Sequence, residues 1–309
     1  MKTTDQAVFC FDTATAISQG ARDYQEDALI CDFSRGAELG FVVLADGMGG
    51  HAAGDIASKI VVTEMFSELT FMRPDMLEYP SCIADMLQNA ASLANDTLRK
   101  HVELHPETRG MGATLVCMVI VDDRLHWISI GDSPLYLFRD GVLRQLNEDH
   151  SMADTIDMMV RSGALSPEDG LNHPDRNVLT SVLFGEPVAH VDCPPEPTQL
   201  RAGDTLIVAS DGLQFLSDDE IGKLLRDRPF CGSGEIADAL MDSLKALNDP
   251  DLDNISLSVT RIRNPHRADV HLDRVTHKQI AAAPKPSLFW KAFKSQGAGS
   301  PPQGEQHRD

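Results

Sequence analysis

Five aspartates stand at the ends of apolar runs, beside glycine or another turn residue. They are Asp27 in ARDYQEDAL, Asp46 in FVVLADGMGG, Asp132 in WISIGDSP, Asp211 in LIVASDGL and Asp253 in DLDNISLSV. A carboxylate at the mouth of a sheet loses water and gains like-charged neighbours, an arrangement that persists when a cation neutralises it. One such aspartate is accounted for as a turn residue, because Asp and Gly serve turns through local hydrogen bonding. Five together read as a divalent-cation site. Oxygen donors of this kind suit Mg2+ or Mn2+, and no His/Cys set at ligand spacing points to zinc.

These residues need strands to carry them and turns to aim them. Apolar and β-branched runs predict strands over Val8–Ile17, Ala28–Phe33, Phe41–Ala45, Thr114–Val121, Leu125–Ile130, Leu135–Phe138, Val178–Phe184, Thr205–Ala209 and Ile255–Ile262. Asp122-Asp123 and Asp140-Gly141 fall between alternating runs, which predicts hairpins and hence antiparallel neighbours. Helical spacing marks Ala53–Leu69, Cys82–Leu104, Asp218–Arg226 and Glu235–Leu247. In the second of these, Ile83, Leu87, Ala90 and Leu98 form one apolar stripe, and Ser217 before Asp218-Asp219-Glu220 is a helix start. Two helix pairs around many antiparallel strands predict an α+β fold. It is a four-layer α-β-β-α sandwich, two sheets face to face with helices outside.

Six motifs in order, RDYQEDA, VLADGMGGHAAG, GMGATLV, SIGDSPLY, VASDGL and DNIS, resemble the PPM-type (type 2C) metal-dependent protein serine/threonine phosphatases in their bacterial form. The likeness covers nearly all of residues 8–261. It implies the same sandwich with two Mg2+ or Mn2+ ions at one end. By this resemblance Asp46 bridges the two metals and the Gly47 carbonyl is also a ligand. Asp211 and Asp253 hold the first metal, while Asp27 and Glu26 lie beside the second. Asp132, with Asp211, matches the position of a weaker third metal, and Arg22 matches the arginine that binds phosphate. An arginine fork donates two hydrogen bonds to phosphate oxygens where lysine is less selective. Two such cations lower the pKa of a shared water, so that hydroxide attacks phosphorus in line. The implied substrates are phosphoserine and phosphothreonine in proteins, in opposition to a Ser/Thr kinase.

The sequence departs from the family at two places. Met48 stands where some relatives have a histidine that is a candidate proton donor, and His51 is the nearby alternative. GDSP replaces the GDSR of many relatives, so Pro134 removes an arginine. Gly112 and Thr114 read as turn and strand residues that support the site. The segment from His150 to Asn177 corresponds to the family's mobile flap and reads equally as a helical hairpin. No G-K-[ST] P-loop and no G-x-S-x-G elbow is present.

Composition narrows the remaining classes. With 42% hydrophobic and 24% charged residues in 309, the chain has the balance of a folded core and a solvated surface. A formal charge of −20 repels nucleic-acid phosphates. The longest apolar run, Leu115 to Val121, is far short of a membrane span, which needs about 20 residues. The acidic N-terminus lacks a signal-peptide pattern, and the six scattered cysteines read as reduced thiols. These features predict a cytoplasmic monomer without nucleic-acid partners. Residues 1–262 form the expected catalytic domain. From Arg263 onward eight Lys/Arg face four acids, so the negative charge belongs to what precedes. That flexible tail includes KPSLFWKAFK, a short basic amphipathic stretch at 285–294. The competing readings are a catalytically silent module that binds phosphoproteins and an acidic structural protein that folds around cations. The first predicts a missing carboxylate, and none is missing.

Overall fold

The computed structural model describes residues 9–34, 38–49 and 52–264. The His51 alternative and the basic tail beyond residue 264, with its 285–294 stretch, lie outside the described residues, while Arg263 ends the strand Ile255–Arg263 and donates to Asp12. Twelve strands are present among those described: β1 (Cys10–Ser18), β2 (Ala28–Asp32), β3 (Leu39–Ala45), β4 (Gly47–Met48), β5 (Gly112–Ala113), β6 (Leu115–Val121), β7 (Arg124–Ile130), β8 (Leu135–Arg139), β9 (Val142–Gln145), β10 (Thr198–Gln199), β11 (Thr205–Ala209) and β12 (Ile255–Arg263). Six helices accompany them: α1 (Ala52–Glu78), α2 (Ile83–Leu104), α3 (Ala153–Arg161), α4 (Pro167–Leu171), α5 (Asp218–Arg226) and α6 (Ser233–Ala246). One sheet runs β1-β12-β11-β8-β9, the other β10-β7-β6-β3-β2, and β4 pairs with β5 in a small ribbon.

Three apolar layers hold these sheets and helices together, and strand alternation assigns each side chain to a layer. In β3, Leu39, Phe41, Val43 and Ala45 face α1 and α2, whereas Val42 and Leu44 face the opposite sheet. The same division separates Leu115, Cys117 and Val119 of β6 from Val116, Met118 and Ile120. On the other side Ile207 and Ala209 meet α5 and α6, and Leu206 and Val208 turn to the layer between the sheets. Both faces of β3 and β6 are covered, so their sequences are apolar throughout and every residue is buried. The fold is therefore the α-β-β-α sandwich, with all principal ladders antiparallel.

The local signals behave as their chemistry predicts. Asp140 and Gly141 both adopt positive φ (52° and 83°) in the two-residue turn between β8 and β9. Ser217 and Glu220 form a capping box at the start of α5. Ile83, Leu87, Ala90 and Leu98 are all buried on α2.

Two expectations are corrected. Val178–Phe184 is not a strand: it makes only single bridges, Leu179 with Ser151 and Leu183 with Ala113. The apolar composition is right, but no ladder partner runs beside it, and Ser181 Oγ joins both N–H and C=O of His190 instead. Helix α1 does not end at Leu69 but continues past Pro74 to Glu78. Tertiary contacts hold its last turns. Arg73 donates to the Leu39 carbonyl and to Asp32, its guanidinium lies 5.5 Å from the Phe41 ring centroid, and Met76 is fully buried. The His150–Asn177 segment holds the two short helices α3 and α4, tied by an Arg176–Asp157 ion pair of 2.7 Å. Among the described residues no helix is long and apolar enough to cross a membrane.

Candidate metal and phosphate site

All five aspartates lie at one end of the sandwich. Asp27 leads into β2 and Asp46 follows β3, and the pairing of Ala28 with Ala45 puts them at the same edge. Asp132 sits where the chain leaves β7 and crosses to β8, from one sheet to the other. Asp211 follows β11 and Asp253 precedes β12, whose registers bring both to that edge. The sequence thus spreads the acids over more than 220 positions, and strand register gathers them.

Their ionisation reports that proximity. Burial, then the charges of Asp27, Asp211, Asp132 and Asp253, push the Asp46 carboxyl well above the usual carboxylate range. Burial raises Asp27 to about 7, partly offset by a hydrogen bond from Ser210. Burial and then Asp211 raise Asp132 to about 7, and burial with Asp253 raises Asp211 to about 6. Asp27 Oδ1 and Asp211 Oδ1 are buried without a hydrogen-bond partner. Acceptor-only oxygens, desolvated and mutually repelling, fit a divalent cation better than any other occupant. Among the described residues, no three His, Cys, Asp or Glu side chains already form a ready coordination shell. Asp253 Oδ2 accepts a hydrogen bond from the Arg22 guanidinium at 2.5 Å.

A buried hydrogen-bond frame fixes the loops that carry the acids. Thr114 Oγ1 accepts from the Asp46 N–H (3.0 Å) and pairs with Ser133 Oγ (2.8 Å), linking the Asp46 and Asp132 loops. Ser210 Oγ donates to Asp27 Oδ2 at 2.8 Å and accepts from the Ser256 N–H, so it connects the two sheets at this end. Asn254 accepts from the Glu26 N–H and donates to the carbonyls of Gln19 and Tyr24. Gly47 donates its N–H to the Glu26 carbonyl, and a Cβ there would stand 2.1 Å from the Gly54 oxygen. That backbone approach admits only glycine. A Cβ on Gly54 would in turn meet Glu26 Oε1 at 2.3 Å, so the Glu26 carboxylate lies against the first turn of α1, where the helix dipole favours it.

Sequence reasoning missed several of these residues. Ser210 and Asn254 lie inside the quoted motifs VASDGL and DNIS, and the signal was their adjacency to the acids. Asp149 was not anticipated; it contributes to raising Asp132 and follows β9 in NEDH without the glycine that marked the others. Asn147 and His150 flank it, with Asn147 accepting from the Leu135 N–H and His150 Nδ1 from the Gly131 N–H.

The fold of this chain is similar to that of solved bacterial Ser/Thr phosphatases. The Mycobacterium tuberculosis phosphatase PstP/Ppp superposes with a TM-score of 0.68 at 31% identity, covering 82% of this chain and 99% of that one. The PstP catalytic domain solved with two manganese ions gives 0.63 at 30% identity, over 82% and 99% of the two chains. Stp1 from Staphylococcus aureus gives 0.69 at 27%, over 85% and 99%. The protein phosphatase 2C family model matches residues 16–254, and the chain belongs to that family. By sequence it is 36% identical over 189 residues to M. tuberculosis PstP, a match spanning 60% of this chain and 33% of that relative. It is 35% identical over 191 residues to the Listeria monocytogenes phosphatase stp, spanning 60% of this chain and 72% of stp.

Proposed function

We propose that this chain is a metal-dependent phosphatase that removes phosphate from serine and threonine in proteins. The observation that carries this reading is the convergence of five aspartates, drawn from both sheets, into one mutually repelling set in which Asp27 is buried and the other four are half-buried. In this reading Asp46 and the Gly47 carbonyl would help hold two divalent ions, Mg2+ or Mn2+. Asp211 and Asp253 would serve one ion and Asp27 with Glu26 the other, and Asp132 with Asp211 would offer a weaker third position. When bound, the cations supply positive charge against the phosphoryl oxygens and a lowered pKa for the attacking water.

The chain's own residues then have distinct tasks. Arg22, exposed at the rim, holds phosphate oxygens with its planar fork, and Asp253 beside it keeps the guanidinium oriented until substrate arrives. Thr114 and Ser210 keep Asp46 and Asp27 in place without reacting. Water adds at phosphorus as the ester P–O bond breaks, releasing inorganic phosphate and the free hydroxyl. The departing alkoxide takes a proton, and Met48 at the position after Asp46-Gly47 provides none. The natural counterpart is a Ser/Thr kinase that writes the phosphates this chain erases.

The test is hydrolysis of p-nitrophenyl phosphate and a phosphothreonine peptide with and without Mn2+. We expect metal-dependent turnover, and a loss of at least about a hundredfold in Asp211→Asn. Turnover that ignores metal, or none under any metal, rejects the reading. Phosphopeptide binding without turnover supports the silent binding module instead.

A further inference from the structure

A cleft of about 430 Å3 opens directly beside Arg22 and is lined by Ala21, Arg22, Asp23, Pro250 and Asp251. Its walls come from distant parts of the sequence, residues 21–23 and 250–251, and are joined by hydrogen bonds. The Ala21 N–H donates to the Leu252 carbonyl at 2.8 Å, and Asn254 grips the carbonyls of Gln19 and Tyr24. The cleft is therefore preformed. Among its described lining residues the one cation is Arg22, and that charge is already matched by Asp253 at 2.5 Å. Asp23 and Asp251 are exposed and have no cationic partner among the described residues.

Resting on the phosphatase reading, we infer that this cleft is a specificity subsite. It receives an arginine or lysine side chain of the substrate that flanks the phosphorylated residue. A peptide whose phosphate sits at Arg22 must pass next to this cleft, because Arg22 forms part of its wall. The phosphate is anionic and approaches a domain that carries most of the chain's negative charge. A neighbouring basic side chain reduces that repulsion, and its head group finds two carboxylates at the cleft mouth while its methylene stem lies along Ala21 and Pro250. An acidic flanking residue meets like charge there and is disfavoured.

The experiment uses phosphothreonine peptides of one parent sequence, with Arg, Ala or Glu placed in turn at each position flanking the phosphoresidue, assayed with Mn2+. Wild type is expected to show kcat/KM about fivefold or more higher for Arg than for Ala in at least one position, with Glu below Ala. The preference should shrink as salt is raised. In the double variant Asp23→Asn with Asp251→Asn the Arg/Ala ratio should fall toward one, and Asp251→Lys should turn the preference toward Glu. Equal turnover of all peptides by wild type overturns the subsite while leaving the phosphatase reading intact, as does a preference that survives the double variant. No metal-dependent turnover of any peptide overturns both.

Discussion

At Asp211, burial and the neighbouring Asp253 hold the carboxyl at about 6, against an ordinary 3.8. Asp27 and Asp132 stand higher still, at about 7. In the folded chain these groups bind protons more readily than in the unfolded chain, so their contribution makes stability fall as pH rises from about 4 through 7. Divalent metal should relieve that cost. We expect Mn2+ to raise the melting temperature of the wild type near pH 7.5, and EDTA to reverse the rise. Asp211→Asn removes one of the repelling charges. Metal-free, the variant should melt a few degrees higher near pH 7.5, an effect of about 1–2 kcal/mol, and should respond less to Mn2+. A variant that melts lower than wild type without metal would show that Asp211 is stabilised, not strained, by its surroundings.

At the scale of elements, the loops at the site end are held by a few polar side chains. Asn254 is buried and serves three backbone groups of residues 19–26 from the start of β12. Asn254→Ala should cost roughly 2–4 kcal/mol, read from urea midpoints, because it strands the Glu26 N–H and two carbonyls. A different strand carries an acid-sensitive group. His126 on β7 is buried with both ring nitrogens lacking a hydrogen-bond partner, and burial lowers it to about 4. Because the unfolded histidine titrates near 6.5, stability attached to His126 is lost as pH falls from 6.5 to about 4, opposite in sign to the aspartates. Chemical denaturation at a series of pH values separates the two. His126→Leu should lose less stability on acidification than wild type, by on the order of 1–3 kcal/mol near pH 4.5. Element boundaries show where sequence patterns stop informing. Periodicity marks α2 and β6 well, because one covered stripe or two covered faces leave a direct imprint. It fails at 178–184, where apolar residues face no neighbouring strand, and at the end of α1, where Arg73 and Met76 override the proline between them.

Across the whole molecule, the acids were legible because each occupies a costly position beside a turn, and their ordered motifs gave the family. Their convergence on one cation site was expected from their shared placement and the family resemblance; the registers that bring it about, such as β3 with β2 and β11 with β12, were not legible. Thr114 was already legible as a supporting residue, whereas Asp149, Ser210 and Asn254 became functional residues only through the contacts those registers create. The net charge acts at this scale as well. A small dianion such as p-nitrophenyl phosphate approaches against the field of an acidic domain, so its kcat/KM should rise about twofold as salt shortens the screening length from about 30 Å to about 8 Å. A fall over that range would mean that local positive charge at the site dominates the approach.

Strand β12 lies between β1 and β11, so the earliest strand of its sheet pairs directly with the last, with Ala14 opposite Val259. During synthesis β1 waits with an open edge until nearly the whole domain has left the ribosome, and loop closure over such a separation is slow. Asp253 is delivered by that same late strand. A nascent or truncated chain therefore lacks a complete set of acids, and on the phosphatase reading a half-made copy should show no turnover.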